Sequence, residues 1–142
     1  MKLFSIMILY KGEPAAHVLK ASYDLTSFGF FQRGTVQEFI NLTAKILAER
    51  TQIGERQSVR EKEYICHVFV RSDSLAGVCL SDEEYPQRVA HTMLTKILED
   101  FTNQVLNSYE YLLSWSEVNI VLFIQFLDSS SLMARGQRGQ WL

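Results

Sequence analysis

Apolar and polar positions repeat along the chain with two different periods, and the longer period predicts helices. Its most regular example lies in the second half of the chain, where apolar residues recur every three or four positions without a gap. These residues are Val89, Ala90, Met93, Leu94, Ile97, Leu98, Phe101 and Val105. The pattern predicts an amphipathic helix of about 20 residues that begins near residues 82–84 and has Pro86 in its first turn. Such a helix must pack along a broad surface.

A second helical pattern lies earlier in the chain, between Thr35 and about Arg50. Its apolar positions are Val36, Phe39, Ile40, Thr43, Ile46 and Leu47. Thr35 and Glu38 have the spacing of a capping box, in which each side chain bonds a free backbone amide at the start of a helix. We therefore expect the helix to begin at Thr35.

The shorter period and a high content of β-forming residues predict five strands. They cover residues 2–10, 17–23, 56–60, 63–70 and 75–80. The three strongest strands are apolar at both odd and even positions, so both of their faces are expected to be covered. The weaker segment, 56–60, carries Arg56 and Arg60, which are typical of a protected edge strand.

The order of these elements predicts the fold class. It reads strand, strand, helix, three strands and long helix. Residues 11–14 and 71–74 have turn compositions that suit antiparallel hairpins. The expected architecture is an α/β (α+β) domain, with a five-stranded, mainly antiparallel sheet between helices.

Composition narrows the class of protein. The chain has 142 residues, of which 47% are hydrophobic, and 14 basic against 16 acidic side chains. This length and composition predict a single ordered domain. The chain lacks the excess positive charge that nucleic-acid binding requires, so we expect no nucleic-acid partner. Two cysteines favour a reducing, cytoplasmic compartment. No apolar run is long enough to span a membrane, and residues 1–10 suit a buried strand better than a signal peptide.

The residues needed for catalysis or metal binding are not found at the required spacings. His17, His67 and His91 fall on three separate elements, with no ligand beside them at metal-binding spacing. Cys66 and His67 are adjacent on a strand and must point to opposite faces, which prevents a thiolate–imidazole pair. Cys79 lies on the neighbouring strand, where it can approach Cys66 or remain a buried, inert thiol.

Other catalytic signatures are also missing. The sequence contains no phosphate-binding glycine loop and no nucleophile elbow. The acidic run at residues 82–84 is interpreted as favourable charge at the start of the long helix. The chain is therefore predicted not to be an enzyme, and to use no cofactor and no small-molecule substrate.

The first helix has more apolar surface than one sheet face normally covers. On a helical wheel Val36, Ile40, Thr43 and Leu47 form the main apolar stripe. Phe39, Leu42 and Ile46 extend it to one side. Two explanations remain open. Either a flanking strand or the C-terminal tail covers these residues, or Phe39, Leu42 and Ile46 line a groove for an amphipathic peptide or a lipid chain.

Several short motifs resemble the longin domain of R-SNAREs, especially the lipid-anchored synaptobrevin homologues. The matching segments are residues 1–3, 9–13, 23–24, 27–28, 30–33, 36–39, 66–68, 73–78, 84–86 and 88–90. They lie in loops as well as in the apolar pattern, and they cover about residues 1–105. The resemblance implies a profilin-like longin fold and a role in vesicle-mediated transport and membrane fusion between the ER and the Golgi.

The resemblance also implies how such a domain acts. Longin domains of this family regulate fusion by folding back on the SNARE motif and sheltering a prenyl chain in a hydrophobic groove formed partly by the first helix. It implies SNARE proteins, or a SNARE or lipid segment of the same chain, as partners, and peripheral association with ER, Golgi or vesicle membranes. A second interpretation is a longin-like or profilin-like scaffold subunit of an adaptor or tethering complex.

The C-terminal residues 106–142 depart from the family pattern. They show no sustained heptad and end without a cysteine for lipidation. We therefore expect a longin domain at 1–105 and a divergent tail at 106–142 that lacks a SNARE coiled coil. Tyr109 to Trp115 are expected to form a short helix, followed by a loose end.

Overall fold

A computed structural model describes residues 1–12 and 15–108, with side chains up to residue 105. The strands are β1 (Leu3–Lys11), β2 (Ala16–Tyr23), β3 (Arg56–Glu61), β4 (Tyr64–Val70) and β5 (Leu75–Asp82). The α-helices are α1 (Arg33–Arg50) and α2 (Gln87–Ser108), and a 3-10 turn (Phe30–Gln32) precedes α1. The predicted short helix at 109–115 and the loose end after it lie outside the described residues.

The five strands form one sheet in the order β2-β1-β5-β4-β3. Every neighbouring pair is antiparallel. β3 is an edge strand, as its charged residues predicted, and it pairs with β4 from Arg56 opposite Phe69 to Glu61 opposite Tyr64. The predicted five-stranded α+β fold is therefore confirmed, with a sheet that is wholly antiparallel.

Helices cover both faces of the sheet. Leu94 and Leu98 of α2 pack with Ile6 and Ile8 of β1 on one face. Ile40 of α1 and the small residues Ala44 and Ala48 pack on the other face, against residues that include Met7, Leu9 and Val68. Alternate residues of β1 enter both cores, which explains why Ile6 to Leu9 are apolar at successive positions. The prediction that the strong strands are covered on both sides is confirmed.

The predicted start of α1 is wrong by two residues. The helix begins at Arg33, and Gln32 at its N-cap makes no side-chain capping bond, so Thr35 and Glu38 do not form a capping box. The 3-10 turn leads directly into the helix and moves its first turn ahead of Thr35. Arg33 stabilises this entry, since its Nε donates to the carbonyls of Leu25 at 3.1 Å and Phe28 at 3.2 Å.

The role predicted for residues 82–84 is also wrong. α2 begins at Gln87, and its first turn holds no acidic residue. Asp82 ends β5 and accepts the backbone N–H groups of Lys2 and Tyr85. Glu84 pairs with the terminal amine of Met1, and Glu83 pairs with Arg60. The acidic run therefore fixes the N-terminus and an edge strand rather than interacting with the helix dipole.

Candidate functional site: an apolar cleft beside helix α1

An apolar cleft of about 430 Å³ lies between α1 and the β3–β4 side of the sheet. Helix α1 contributes mainly apolar side chains to one wall, and the strands contribute the other. The cleft is lined by Phe28, Thr35, Val36, Phe39, Ile40, Thr43, Leu47, Val59, Glu61, Tyr64, Cys66 and Leu80. We refer to these residues as the α1 cleft.

The position of α1 on the sheet creates this cleft. The main contacts of α1 are with β1, β2, β4 and β5. Ala44 and Ala48 are fully buried in the core beneath the helix, where their small side chains permit close packing on the sheet. The edge strand β3 is not among these main contacts, and its Val59 lines the open cleft. Val59 keeps 39% of its surface exposed.

Aromatic rings close one end of the α1 cleft. Phe28 and Tyr64 line it with their ring centroids 6.1 Å apart. Phe4 packs against both, at 5.6 Å from Phe28 and 5.5 Å from Tyr64. Arg33 holds the loop that carries Phe28, as described above. This end of the cleft is therefore fixed before any ligand enters.

The chemistry of the α1 cleft suits binding and not catalysis. Its single thiol belongs to Cys66, and burial raises the pKa of that thiol to about 12. The thiol is therefore neutral at physiological pH and is a poor nucleophile. Glu61 is the one ionisable carboxylate among the lining residues. An apolar side chain or hydrocarbon chain is the ligand that these walls can desolvate favourably.

The three residues predicted for the groove occupy different places. Phe39 lines the α1 cleft and is 57% exposed. Leu42 is 59% exposed and Ile46 is half-buried, and neither is among the lining residues. At 100° per residue both lie beyond Phe39 on the same side of α1, so they extend the apolar surface outward from the cleft.

Sequence reasoning missed the residues that the sheet brings to the cleft. Phe28, Val59, Tyr64 and Leu80 come from a loop and three strands, and only the tertiary fold brings them together. Val59 did carry a signal, since it is the only apolar residue in β3. An isolated apolar residue on a charged edge strand points to a local partner or an open pocket.

A polar cluster lies on the α2 side of the sheet. His67 is fully buried, and its Nδ1 and Nε2 lie 2.7 Å from Ser58 Oγ and 3.0 Å from Ser81 Oγ. His91 Nε2 lies 3.0 Å from the same Ser58 oxygen. His67 and His91 belong to separate elements, β4 and α2, and the fold brings both to one serine.

This cluster does not form a catalytic triad. Both nitrogens of His67 bond to serine hydroxyls, so no carboxylate orients its ring. Burial, with a smaller effect from His91, lowers the pKa of His67 to about 4. A histidine with that pKa is a weak base for a serine hydroxyl.

The two cysteines face opposite sides of the sheet. Cys66 packs in the α1 core and Cys79 in the α2 core. The register places Cys66 opposite Leu80 and His67 opposite Cys79. Both thiols are free and buried. Cys79 therefore does not pair with Cys66, which was one of the two possibilities left open by the sequence.

Within residues 1–12 and 15–108, neither helix combines the length and the apolar character needed to cross a bilayer.

Comparison with known proteins places this chain in a family. Residues 25–117 match the longin family model, described as a regulated-SNARE-like domain. Synaptobrevin homolog ykt6 of Schizosaccharomyces pombe is 50% identical over 101 residues, which cover 71% of this chain and 51% of that protein. Synaptobrevin homolog YKT6 of Saccharomyces cerevisiae is 38% identical over 129 residues, which cover 91% of this chain and 64% of that protein.

A third relative gives the same result. Synaptobrevin homolog YKT6 of Yarrowia lipolytica is 45% identical over 101 residues, covering 71% of this chain and 50% of that protein. The chain thus spans about half the length of most of these relatives. The resemblance noted in the sequence is confirmed, and a SNARE-like family agrees with the prediction that the chain is not an enzyme. The chain belongs to the longin family of regulated-SNARE-like domains.

Proposed function

We propose that this chain is a non-enzymatic longin module of the membrane-trafficking machinery, acting in SNARE-dependent transport between the ER and the Golgi. Its family and the names of its relatives support this assignment. Its partners are SNARE segments, supplied by other proteins or by the same chain, and it works at the periphery of ER, Golgi or vesicle membranes.

The proposed regulatory step is the binding of an apolar peptide or lipid chain in the α1 cleft. The observation that carries it is the cleft itself, about 430 Å³ of mainly apolar space that stays open beside a packed core. Phe39 forms part of the cleft wall. Leu42 and Ile46 lie just outside the cleft on α1, where they would contact a ligand that extends beyond it.

The size of the cleft is consistent with useful affinity. Each buried methylene contributes about 0.8 kcal/mol, so a hydrocarbon chain with eight buried carbons gains about 6 kcal/mol before its ordering cost. The fixed ring cluster at Phe28 and Tyr64 reduces the cost of arranging the site. A partner segment held there is withheld from other SNARE proteins.

The test is titration of the full chain with a fluorescent farnesyl-cysteine methyl ester and with an amphipathic SNARE peptide. Phe39→Asp introduces a charge into the wall, and we expect it to weaken binding at least about tenfold. Leu42→Asp and Ile46→Asp should have smaller effects. Gln37→Asp is the matched control, since it adds the same charge to an exposed position on the other flank of α1. Equal affinities for the Phe39 and Gln37 variants would exclude the α1 cleft as the binding site.

A scaffold subunit is the second candidate, favoured by the free outer edge of β3 in the described sheet. In that case partner binding would survive Phe39→Asp as well as Leu42→Asp and Ile46→Asp. It would instead be lost on changing an exposed residue of the edge strand, as in Arg60→Glu.

A further inference from the structure

A second cleft, of about 490 Å³, lies on the opposite side of β3 from the α1 cleft, between this strand and α2. Arg56 of β3 and residues of one face of α2 line it, among them Arg88, His91, Thr95 and Glu99. We refer to it as the α2 cleft. The residues that line it are polar or charged and include two arginines, whereas the residues of the α1 cleft are mainly apolar.

Arg56 is held in a fixed position in this cleft. Its guanidinium carbon lies 3.7 Å from the centroid of the Phe69 ring, so the charged group stacks on an aromatic face. Its Nη1 donates to the His91 carbonyl at 3.0 Å, and its Nη2 donates to Thr95 Oγ1 at 2.6 Å. Arginine has five N–H donors, so about three remain for a ligand.

The charge of Arg56 is not neutralised by these contacts, because both acceptors are neutral. Among the ion pairs of the described residues, neither Arg56 nor Arg88 has a carboxylate partner. Lys96, also in the cleft, differs because it pairs with Asp100 at 3.1 Å. The cleft therefore holds two exposed arginines with donors to spare and no acid in contact with either.

The two arginines line the same cleft. Arg56 bonds the carbonyl of His91 and the hydroxyl of Thr95, which lie three and seven residues, or about one and two helical turns, beyond Arg88. Glu99 lies at the other end, about 16 Å from Arg88 along the helix axis. Arg56 therefore lies between Arg88 and Glu99 along the cleft, and two unpaired positive charges favour an anion on the Arg88 side, away from Glu99.

We propose that the α2 cleft binds a phosphomonoester group between Arg56 and Arg88. Arginine matches the geometry of phosphate oxygens with paired N–H donors. A phosphorylated inositol ring, on a lipid or free in solution, presents such a group at a size that the cleft accommodates. This inference is independent of the α1 cleft, and its failure would leave the proposed function untouched.

The experiment titrates the full chain with soluble inositol 1,4,5-trisphosphate and with phosphatidylcholine vesicles that contain phosphatidylinositol 4-phosphate. We expect binding that Arg88→Gln and Arg56→Gln each weaken at least about fivefold. Arg60→Gln is the matched control, since it removes the same charge from β3 at a residue paired with Glu83. It should stay within about twofold of the unmodified chain, because an exposed ion pair contributes little.

The outcomes separate the sources and test the proposal. Binding of the soluble ring alone identifies a free phosphate ester, and binding of vesicles alone identifies a lipid headgroup; both support the site. Absence of binding in both arms overturns it. A loss on Arg60→Gln equal to that on Arg88→Gln also overturns it, because binding would then follow overall charge. Arg88 makes no side-chain contact that the fold depends on among the residues described, so its variant should fold and remain a fair test.

Discussion

One hydroxyl group, Ser58 Oγ, joins the imidazole rings of His67 and His91, at 2.7 Å from Nδ1 of His67 and 3.0 Å from Nε2 of His91. The direction of the bonds follows from Ser81. Ser81 Oγ donates to the Asp82 carbonyl and so accepts from His67 Nε2. His67 Nδ1 must then accept from Ser58, and Ser58 accepts from His91. This chain of bonds connects β3, β4, β5 and α2.

Ser58→Ala should destabilise the fold by about 1 to 3 kcal/mol, because it leaves a nitrogen of the buried His67 and one of the partly buried His91 without partners. Urea unfolding of both chains measures the change. Gln57→Ala, at the exposed neighbouring position of β3, is the control and should change stability by less than about 0.5 kcal/mol. Equal losses in the two variants would mean that the hydroxyl is not an essential link.

Stability should fall as the pH drops from about 6.5 towards 4. Burial holds the pKa of His67 at about 4, and burial with the Arg56 charge lowers the pKa of His91. Between the unfolded and folded pKa values the unfolded chain binds more protons, so acid favours unfolding. For His67 the loss approaches about 3 kcal/mol by pH 4.

Urea unfolding at a series of pH values measures this loss, with His67→Gln as the comparison. The variant is less stable at neutral pH but should show a shallower pH dependence over the same range. A proton NMR titration of the His67 ring gives an independent value, and a midpoint near 6.5 would contradict the argument.

Both thiols should resist modification while the protein is folded. Burial raises the pKa of Cys66 and of Cys79 to about 12, so the reactive thiolate is scarce at pH 8. We expect an aromatic disulfide reagent to modify neither cysteine in buffer and both in urea. Oxidation should give no intramolecular disulfide, because the two face opposite cores. Fast modification of either thiol in buffer would indicate that its core opens readily.

Gly77→Val should destabilise the domain by about 1 to 3 kcal/mol through overpacking. A Cβ atom at Gly77 would lie 3.2 Å from Leu94 Cδ2 and 3.5 Å from Leu94 Cβ, where α2 crosses β5. Gly34→Ala is the contrasting change, since a Cβ there meets nothing within 4 Å, and it should be neutral or slightly stabilising. Thermal unfolding of the two variants measures the difference, and an unchanged Gly77→Val protein would show that α2 can shift.

The strands and the long helix could be predicted because their sequence periods agree with their burial. Leu94 and Leu98 are fully buried at the positions that the apolar stripe assigns to the sheet. The start of α1 could not be predicted in this way, because the contacts of Arg33 with the preceding loop outweigh the apparent capping box. A capping motif in the sequence does not predict the start of a helix when a long side chain such as Arg33 makes several bonds to the backbone there.

The candidate sites were less predictable than the fold. Phe39 was identified from α1 alone, since a helical wheel shows which face is apolar. Val59 and Tyr64 line the same cleft as Phe39, but their approach depends on how α1 sits relative to β3 and β4, which the sequence does not show. The sequence indicated only that Arg56 is a charged residue on an edge strand, whereas the structure shows that acceptors on α2 hold its guanidinium in place.

The edge strand β3 lies between the α1 cleft and the α2 cleft and contributes residues to both. Its odd-numbered residues Val59 and Glu61 belong to the apolar side, and its even-numbered residues Arg56 and Ser58 belong to the polar side. Its backbone pairs with β4 alone within the described sheet, and its side chains Arg56 and Ser58 bond to α2. A ligand that displaces this strand from one side therefore changes the width of the other cleft. A ligand in the α1 cleft and a ligand in the α2 cleft would then change one another's affinity without contact, through the position of the six residues of β3.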